Sequence, residues 1–247
     1  MCSKRLPGKV LLNLGDDLVI DHVFSRVKSS EKIDQVIIAI TTNAQDDMLF
    51  KHCIENNYEV FRGPEDDVLE RYYKCALKYK ADRVVRITAD CPLIDPILID
   101  EIADFHTSGQ YDYVSNTIKP SYPDGLDTEI FTFNSLKEAH EKAISQFDRE
   151  HVTPFIKLNK SFKKVNYKNH SDYSHLRWTL DEPKDYKFLL SLFGISKNLS
   201  HNWCDILELI ENNEDSIDFS NKLIKRDEGA AMGNGQKLYK RAKESIP

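Results

Sequence analysis

The chain has little that would indicate a membrane, an oxidising compartment or a nucleic acid. No run among its 247 residues approaches the roughly 18 apolar residues of a membrane span, and no apolar leader segment follows Met1. The five cysteines are widely spaced and form no CxxC pair, which indicates reduced thiols in a cytoplasm. A formal net charge of -6 argues against a phosphate-backbone partner. We therefore expect a cytoplasmic protein without membrane or nucleic-acid partners.

What the chain does contain is the composition of an ordinary globular protein, with 40% hydrophobic and 30% charged residues. Its length suffices for one large α/β domain or two small ones. One domain followed by a tail is the simpler interpretation. Neither internal repeats nor low-complexity segments interrupt it.

Short apolar runs alternate with helical patterns along the first half of the chain. Residues 35–40 and 83–87 are rich in β-branched residues, which is typical of strands buried on both faces. Strands separated by helices predict right-handed crossovers and a mainly parallel sheet flanked by helices. Further strands are predicted at 58–61, 111–115 and 128–133, and helices at 16–28 with Asp16 or Asp17 as N-cap, 45–56, 66–80, 135–145, 148–158, 184–193 and 204–212.

The segment from Ser3 to Lys9 gathers cations, a hydroxyl and a glycine just before a predicted helix. Such a loop can offer backbone N–H groups and positive charge to phosphates. It is not a Walker P-loop, because Gly8 has no glycine five positions before it and Val10 follows Lys9. A basic arm in solvent is the alternative, and charge alone favours that alternative.

Asp90 follows the predicted strand at 83–87 and precedes a proline turn. Ligands of open parallel sheets gather beyond the carboxyl ends of the strands, so Asp90 could hold a metal-bound phosphate. Magnesium prefers one or two carboxylates together with phosphate oxygens and water. The alternative is that Asp90 or Asp95 caps the helix predicted near 96–104, and for Asp95 we favour the cap.

Asp181 follows a second apolar stretch, Arg177–Leu180, which we predict to be a strand. Asp181 could be a second magnesium carboxylate. It could equally be the N-cap of the helix that starts near Pro183, because proline is common at the first helical position. Spacing alone favours the cap.

Polar residues in the middle of the chain provide weaker signals. Asp124, Asp127 and Glu129 could contact sugar hydroxyls, whereas Arg149 and His151 could bind a carboxylate or face solvent. A general-base role for His151 has little support, because no triad partner is identifiable. The segment 62–69 has the pattern of a turn followed by a helix cap.

Taken in order, these motifs resemble the cytidylyltransferase family of the spore-coat polysaccharide biosynthesis protein F type. That family is related to the enzymes that activate 3-deoxy-manno-octulosonate and acylneuraminate with CTP. Several motifs in matching order are more specific than any one of them, and they cover roughly residues 1–225. The motifs are Ser3, Arg5–Lys9, Phe61–Arg71, Arg86–Asp95, Tyr122–Asp127, Arg149–Pro154 and His175–Pro183.

The resemblance implies a Rossmann-like nucleotidyltransferase fold and transfer of CMP from CTP to a hydroxyl of a sugar, in particular an acidic one. It implies that Arg5 and Lys9 are catalytic ligands of the triphosphate, and that Asp90 and Asp181 hold Mg²⁺. Relatives often form homodimers.

The same resemblance places three further residues at the nucleotide: Ser3, Arg62 and Thr88. The five polar residues between Asp124 and His151 named above then become candidates for binding the sugar. The preference for CTP over other nucleotides depends on the resemblance alone.

Departures from the family pattern carry their own expectations. Members normally begin with an apolar strand, so we expect the first strand of the sheet to be missing here, and Ala89 replaces a usual glycine. Residues 235–247 resemble the opening helix of a glutamate-1-semialdehyde-type aminotransferase, although an ordinary basic helix is an alternative. We therefore predict a cytidylyltransferase-like domain over 1–228 and, over 229–247, a linker and the start of a fused aminotransferase-like segment.

Two rival functions remain open at this point. A nucleotide-sugar-dependent glycosyltransferase would use a DxD metal motif, which Tyr111-Asp112-Tyr113 does not provide. An inactive binding or assembly module would be consistent with a missing strand.

Overall fold

The computed structural model describes residues 5–222, so Ser3 and the predicted segment 229–247 lie outside the described residues. None of the helices in residues 5–222 is long and apolar enough to cross a membrane. The elements in chain order are β1 (Asn13–Leu14), β2 (Asp17–Leu18), α1 (Val19–Lys28), β3 (Ile37–Thr41), α2 (Asp47–Glu55), β4 (Glu59–Gly63), α3 (Val68–Tyr79), β5 (Arg83–Arg86), α4 (Pro96–Gly109), β6 (Tyr113–Ser115), β7 (Glu129–Thr132), α5 (Phe133–Lys142), α6 (Gln146–His151), α7 (Pro154–Leu158), β8 (Lys164–Asn166), α8 (Pro183–Ile195) and α9 (Trp203–Glu211).

The strands form one four-stranded sheet and two smaller ladders. The larger sheet has the order β5-β7-β6-β8, with β7 antiparallel to both of its neighbours and β6 parallel to β8. The strands β3 and β4 pair in parallel, and β1 and β2 form a hairpin. The predicted α/β fold is confirmed, but the larger sheet is mixed because β7 returns between two parallel strands. Among the described residues, no strand pairing joins β3 to β5.

Helices cover both faces of the larger sheet, which gives the molecule three layers. Along β6 and β7, successive side chains point to opposite faces. Val114 and Ile130 pack in a cluster with α4, α8 and α9, whereas Tyr113 and Phe131 pack in a second cluster with α3, α5 and α7. Each face of the sheet therefore has its own apolar core.

The helix starts test the predicted caps. The side chain of Asp95 accepts hydrogen bonds from the backbone N–H groups of Ile97 and Leu98, which confirms it as the cap of α4. Asp67 caps α3 in the turn that the 62–69 pattern predicts. The helix predicted at 16–28 is present as α1, but its predicted cap is wrong, because the N-cap is Leu18. The hairpin formed by β1 and β2 continues to that residue and delays the helix.

Two other predicted elements differ from the structure. Residues 148–158 form two helices, because Val152 has a left-handed φ of 72° and Pro154 cannot continue the ladder of α6. The predicted strand Arg177–Leu180 is only an isolated bridge between Asp124 and Arg177. The hairpin β1–β2 and the strand β8 were not predicted, since they are two or three residues long.

Candidate active site

Three segments meet beyond the carboxyl end of β5 and surround a cleft of about 180 Å³. They are the N-terminal segment from Arg5, the loop from Thr88 to Asp90, and the loop before α8. Two hydrogen bonds hold the last two loops together: the N–H of Leu180 donates to the carbonyl of Asp90 over 2.8 Å, and the hydroxyl of Thr179 donates to it over 3.3 Å. The carboxylates of Asp90 and Asp181 therefore lie side by side.

Lys9 lies between these two carboxylates. Its Nζ donates to Asp90 Oδ2 over 2.6 Å and to Asp181 Oδ1 over 2.8 Å. Gly8, with a left-handed φ of 70°, begins the short turn that carries Lys9, a conformation that suits glycine. Burial opposes the charge of Lys9, but the two carboxylates outweigh it and raise the pKa of the lysine. Burial also opposes ionisation of Asp90, whose pKa Lys9 nevertheless holds below its ordinary value.

Arg5 approaches Asp181 and the neighbouring Glu182 from the solvent side. Its guanidinium lies 3.4 Å from Asp181 and 3.5 Å from Glu182, and 45% of its side chain is exposed. Those distances exceed the 2.7–2.9 Å that is usual for a charge-assisted hydrogen bond. Arg5 thus adds positive charge at the rim of the cleft.

Arg177 orients the carboxylates from beneath. Its side chain is 4% exposed and bonds Asp185 over 2.8 Å, Asp124 over 3.0 Å and Asp181 over 3.3 Å. Asp185 also accepts hydrogen bonds from the N–H groups of Asp181 and Glu182, at 2.9 Å each. Because Glu182 is the N-cap of α8, the interpretation of Asp181 as the cap is wrong. Asp181 instead faces cations.

Glu129 occupies the other end of the cleft and is 4% exposed. It receives Lys157 Nζ at 2.8 Å, the Tyr113 hydroxyl at 2.6 Å and the Thr153 hydroxyl at 2.8 Å, and it also pairs with Arg86. Burial opposes its ionisation, but Lys157 and Arg86 hold the pKa of Glu129 well below its ordinary value. The predicted contact of Glu129 with a sugar hydroxyl therefore has to compete with four partners.

Most of the residues predicted from the sequence meet at this cleft. Lys9 lies beneath it, with 13% of its side chain exposed. The predicted site residues that line the cleft are Arg5, Thr88, Asp90, Asp124, Asp127, Glu129, His151 and Asp181. This shared location is a matter of geometry, and the individual roles stay predictions.

Arg62 and Arg149 do not line the cleft. Arg62 donates to the carbonyls of Thr41 and Asn43, at 2.9 Å each. Arg149 binds the carboxylate of Asp67, the cap of α3, with its Nε at 2.8 Å. Each arginine tethers a loop, so the structure gives no geometric support to Arg62 as a nucleotide ligand or to Arg149 as a sugar ligand.

Three cations were not predicted as site residues: the buried Lys157 and Arg177 and the partly buried Arg86. Each is a single cation beside apolar residues, for example Lys157 after Phe155 and Ile156. A cation in such a setting needs a buried partner, because burying an unpaired charge is costly. That rule could have identified all three, although it could not have named their partners.

The donor set of the cleft fits a magnesium ion that is shared with a ligand. Within residues 5–222, no three or more histidine, cysteine or acidic side chains form a metal cluster. Asp90 and Asp181 nevertheless turn oxygens to a single cationic group, Lys9. Mg²⁺ is usually held by one or two carboxylates together with phosphate oxygens and water. Two carboxylates beside a cationic rim match that pattern.

Comparisons with known proteins converge on one family. The sequence model of a family described as cytidylyltransferase matches residues 1–224. An uncharacterized protein of Methanocaldococcus jannaschii is 40% identical over 195 residues, which are 77% of this chain and 78% of that protein. The spore coat polysaccharide biosynthesis protein SpsF of Bacillus subtilis is 32% identical over 203 residues, which are 78% of this chain and 82% of that protein. A solved cytidylyltransferase structure from Leptospira borgpetersenii has a TM-score of 0.82 at 33% identity and covers 88% of this chain and 93% of that chain.

Proposed function

Because the chain belongs to the cytidylyltransferase family, we propose that it transfers CMP from CTP to a sugar hydroxyl and releases pyrophosphate. The observation that carries this proposal is the bridge from Lys9 to both Asp90 and Asp181 beyond the end of β5. A cation and two carboxylates at that edge of a sheet can bind a nucleoside triphosphate together with a metal ion.

In the proposed reaction, a hydroxyl oxygen of the sugar forms a bond to the α-phosphorus of CTP and releases its proton to water. The bond from that phosphorus to the pyrophosphate oxygen breaks on the opposite side. Lys9 and Arg5 bind the phosphates and neutralise the charge that grows on their oxygens. Asp90 and Asp181 would hold Mg²⁺, which supplies charge neutralisation as a Lewis acid when it is bound. No covalent intermediate with the protein is needed.

The far end of the cleft would bind the acceptor sugar. Asp124, Asp127 and His151 line it and would accept or donate hydrogen bonds to hydroxyl groups. Arg86 and Lys157 bring two positive charges against the single carboxylate of Glu129. Asp124 and Asp127 offset these cations, so the choice of an acidic sugar follows the relatives named for 3-deoxy-manno-octulosonate instead. By analogy with the Bacillus subtilis relative, the product would serve the synthesis of a surface polysaccharide.

Measurement of pyrophosphate release tests the proposal. The full chain is incubated with Mg²⁺, each of the four nucleoside triphosphates, and acidic, amino and neutral sugars, and the product is identified by its mass. We expect release with CTP and an acidic sugar, accompanied by a CMP-sugar. The matched control is Asp90→Asn, which keeps the shape of the side chain but removes its charge.

Other outcomes would favour the rival functions. Release of a nucleoside phosphate from a nucleotide-sugar, without pyrophosphate formation from CTP, would favour a glycosyltransferase. If no nucleoside triphosphate with Mg²⁺ raises the melting temperature and no pyrophosphate appears, the chain is better explained as a binding or assembly module. Turnover with UTP alone would contradict the choice of nucleotide.

A further inference from the structure

A single buried cation, Arg177, is shared by two carboxylates of the cleft. Its Nη1 donates to Asp124 Oδ2 over 3.0 Å, and its Nη2 donates to Asp181 Oδ2 over 3.3 Å. The side chain of Arg177 is 4% exposed, whereas Asp124 and Asp181 both line the cleft. The proposed function assigns Asp181 to the metal ion and Asp124 to the acceptor sugar. Arg177 therefore contacts one residue of each site from beneath.

Asp185 fixes the orientation of this guanidinium. Its carboxylate is fully buried and accepts hydrogen bonds from Nε of Arg177 over 2.8 Å and from Nη2 over 2.9 Å. Such a bidentate pair determines the plane of the guanidinium as well as its position. In addition, Asn221 donates to the backbone carbonyl of Arg177 over 3.1 Å. Because a guanidinium is rigid and planar, one rigid group sets the separation of Asp124 and Asp181.

Backbone contacts join the same two parts of the cleft. The N–H of Trp178 donates to the carbonyl of Asp124 over 2.6 Å, and the N–H of Asp124 donates to the carbonyl of Leu176 over 2.9 Å. Gly125 approaches this segment so closely that a Cβ would lie 2.8 Å from the backbone of Trp178 and Thr179. Its φ of 115° is also one that other residues rarely adopt. The turn that carries Asp124 and the loop before α8 are therefore held together as one unit.

The charge of Arg177 is insufficient for all of its partners. One guanidinium faces three carboxylates, at 2.8 Å for Asp185, 3.0 Å for Asp124 and 3.3 Å for Asp181. Coulomb attraction increases as charges approach each other, so Asp181 receives the smallest share of it. That share depends on Asp124, which competes for the same cation. A group that weakens the pair of Arg177 with Asp124 would leave more of the positive charge to Asp181.

We propose that Arg177 is a positioning residue that couples the two ends of the cleft, so that binding at Asp124 alters the binding of a divalent cation at Asp181. The inference rests on the proposed function, which supplies the ligand of each carboxylate. A sugar hydroxyl that donates to Asp124 competes with Arg177 for that carboxylate. Arg177 then neutralises Asp181 more strongly, which weakens the hold of Asp181 on the cation. By the reciprocity of linked equilibria, the cation weakens the contact of the sugar with Asp124 by the same factor.

The binding of Mn²⁺ to the full chain in the absence of nucleotide tests this coupling. Mn²⁺ prefers the same oxygen ligands as Mg²⁺, and EPR measures its free concentration. Asp124→Asn keeps the shape of the side chain and removes the charge that competes for Arg177. We expect it to raise the dissociation constant for Mn²⁺ by about fivefold more than Asp127→Asn does.

Asp127→Asn is the matched control for that measurement. Asp127 also lines the cleft, and its substitution removes the same charge. The ion pairs of Arg177 are with Asp124, Asp181 and Asp185. Asp127→Asn therefore measures the effect of a lost charge that does not act through the guanidinium.

Arg177→Lys tests whether the effect passes through the guanidinium. Lysine keeps the positive charge but cannot form the fork that joins the three carboxylates. In the Arg177→Lys chain, Asp124→Asn and Asp127→Asn should change the dissociation constant for Mn²⁺ by the same factor. The melting temperature of each variant shows whether it is folded.

Amide hydrogen exchange in the metal-free chain gives a readout that needs neither a ligand nor turnover. The N–H groups of Asp181 and Glu182 donate to Asp185, which pairs with Arg177. Asp124→Asn removes one restraint on the guanidinium, so both amides should exchange faster than in the parent chain. Asp127→Asn should leave their exchange unchanged.

Two results would overturn the proposal. One is that Asp124→Asn and Asp127→Asn have equal effects in the parent chain, on Mn²⁺ binding or on exchange. The other is an excess effect of Asp124→Asn that persists in the Arg177→Lys chain, which would indicate direct electrostatic action across the cleft. Failure of the parent chain to bind Mn²⁺ would contradict the metal site of the proposed function, whereas the exchange measurement would still decide whether Arg177 couples Asp124 to Asp181.

Discussion

The two ends of the cleft hold their carboxylates in different ways. At one end, Asp90 and Asp181 share the ammonium group of Lys9, and Arg5 approaches from solvent. At the other, Glu129 is enclosed by two cations and two hydroxyl groups, all of them from the protein. A carboxylate can accept about four hydrogen bonds, so Glu129 has reached its capacity. We expect a ligand to replace Lys9 at the pair, where Asp181 also contacts Arg177 at 3.3 Å, whereas a ligand of Glu129 would have to displace partners from the protein.

The largest expected effect is loss of activity in Asp90→Asn. If Asp90 holds the metal, removing its charge should lower kcat by about 10³-fold, because metal-assisted charge neutralisation is worth several kcal/mol. The melting temperature should change little, since the amide still accepts a bond from Lys9. Steady-state pyrophosphate release and thermal denaturation measure the two effects separately.

Asp104→Asn is the matched control for that experiment. Asp104 is 64% exposed and pairs with Lys32 at 2.9 Å, so the same chemical change should leave kcat unaltered. Full activity of Asp90→Asn at saturating Mg²⁺ would contradict the assignment of Asp90. Equal losses in both variants would indicate a non-specific effect of charge.

The opposite pattern is expected for Glu129→Gln, which should act mainly on stability. Removing one partner of a buried ion pair typically costs about 3–5 kcal/mol, because the remaining charge stays buried and unpaired. Both Lys157 and Arg86 would lose their counter-charge. Urea denaturation measures the change in the free energy of unfolding, and the double variant Glu129→Gln/Lys157→Met should lose less than the sum of the two single variants. Additive losses would contradict a coupled pair.

The free energy of unfolding at acid pH provides a third test, which concerns the contribution of Glu129 to stability. The folded-state pKa of Glu129 lies below its ordinary value of 4.5, so its contribution to stability is present above that value and is lost as the pH falls. The free energy of unfolding should therefore decrease from about pH 5 downward in the parent chain and decrease less steeply in Glu129→Gln. Parallel curves for the two proteins would show that Glu129 is not responsible.

Local signals in the sequence predicted one end of the cleft better than the other. Asp90 follows an apolar run, and this placed it correctly beyond β5. Asp95 was identified as a cap because it directly precedes the predicted helix near 96–104. The cluster around Glu129 joins residues that are distant in sequence: Arg86 lies 43 positions and Tyr113 lies 16 positions before Glu129. No local pattern encodes such pairs, since only the order of strands in the sheet brings them together.

The same distinction applies to the fold. The alternation of strands and helices is confirmed, because it depends on patterns within short windows. The family resemblance is also confirmed, because it depends on several local motifs in matching order. The antiparallel return of β7 between β5 and β6 was not predicted, since the period of a strand does not reveal its neighbours. The left-handed Val152 was missed for another reason: a β-branched residue disfavours that conformation, and tertiary contacts had to impose it.

Lys9→Met tests whether Lys9 and Mg²⁺ share one position at the end of the cleft that holds Asp90 and Asp181. Without its ammonium group, Asp90 and Asp181 face each other with less compensation, so the variant should be less stable in the absence of divalent ions. Mg²⁺ should then raise the melting temperature of the variant more than that of the parent, because the ion no longer competes with a lysine. A smaller rise in the variant would contradict a shared cation position. Lys32→Met, which removes an exposed lysine, is the control.

The smallest effect is expected for Arg149→Lys, because Arg149 does not line the cleft. Its Nε donates to Asp67 at 2.8 Å and its Nη1 to the carbonyl of His140 at 2.8 Å, and lysine cannot reproduce that fork. We expect a loss of about 1 kcal/mol in the free energy of unfolding, because the Asp67 pair is partly exposed. The KM values for CTP and sugar should stay within about twofold, since an arginine that tethers the start of α3 makes no differential contact with either substrate. A rise in the KM for the sugar with stability unchanged would restore Arg149 as a sugar ligand and would extend the cleft beyond the residues that line it.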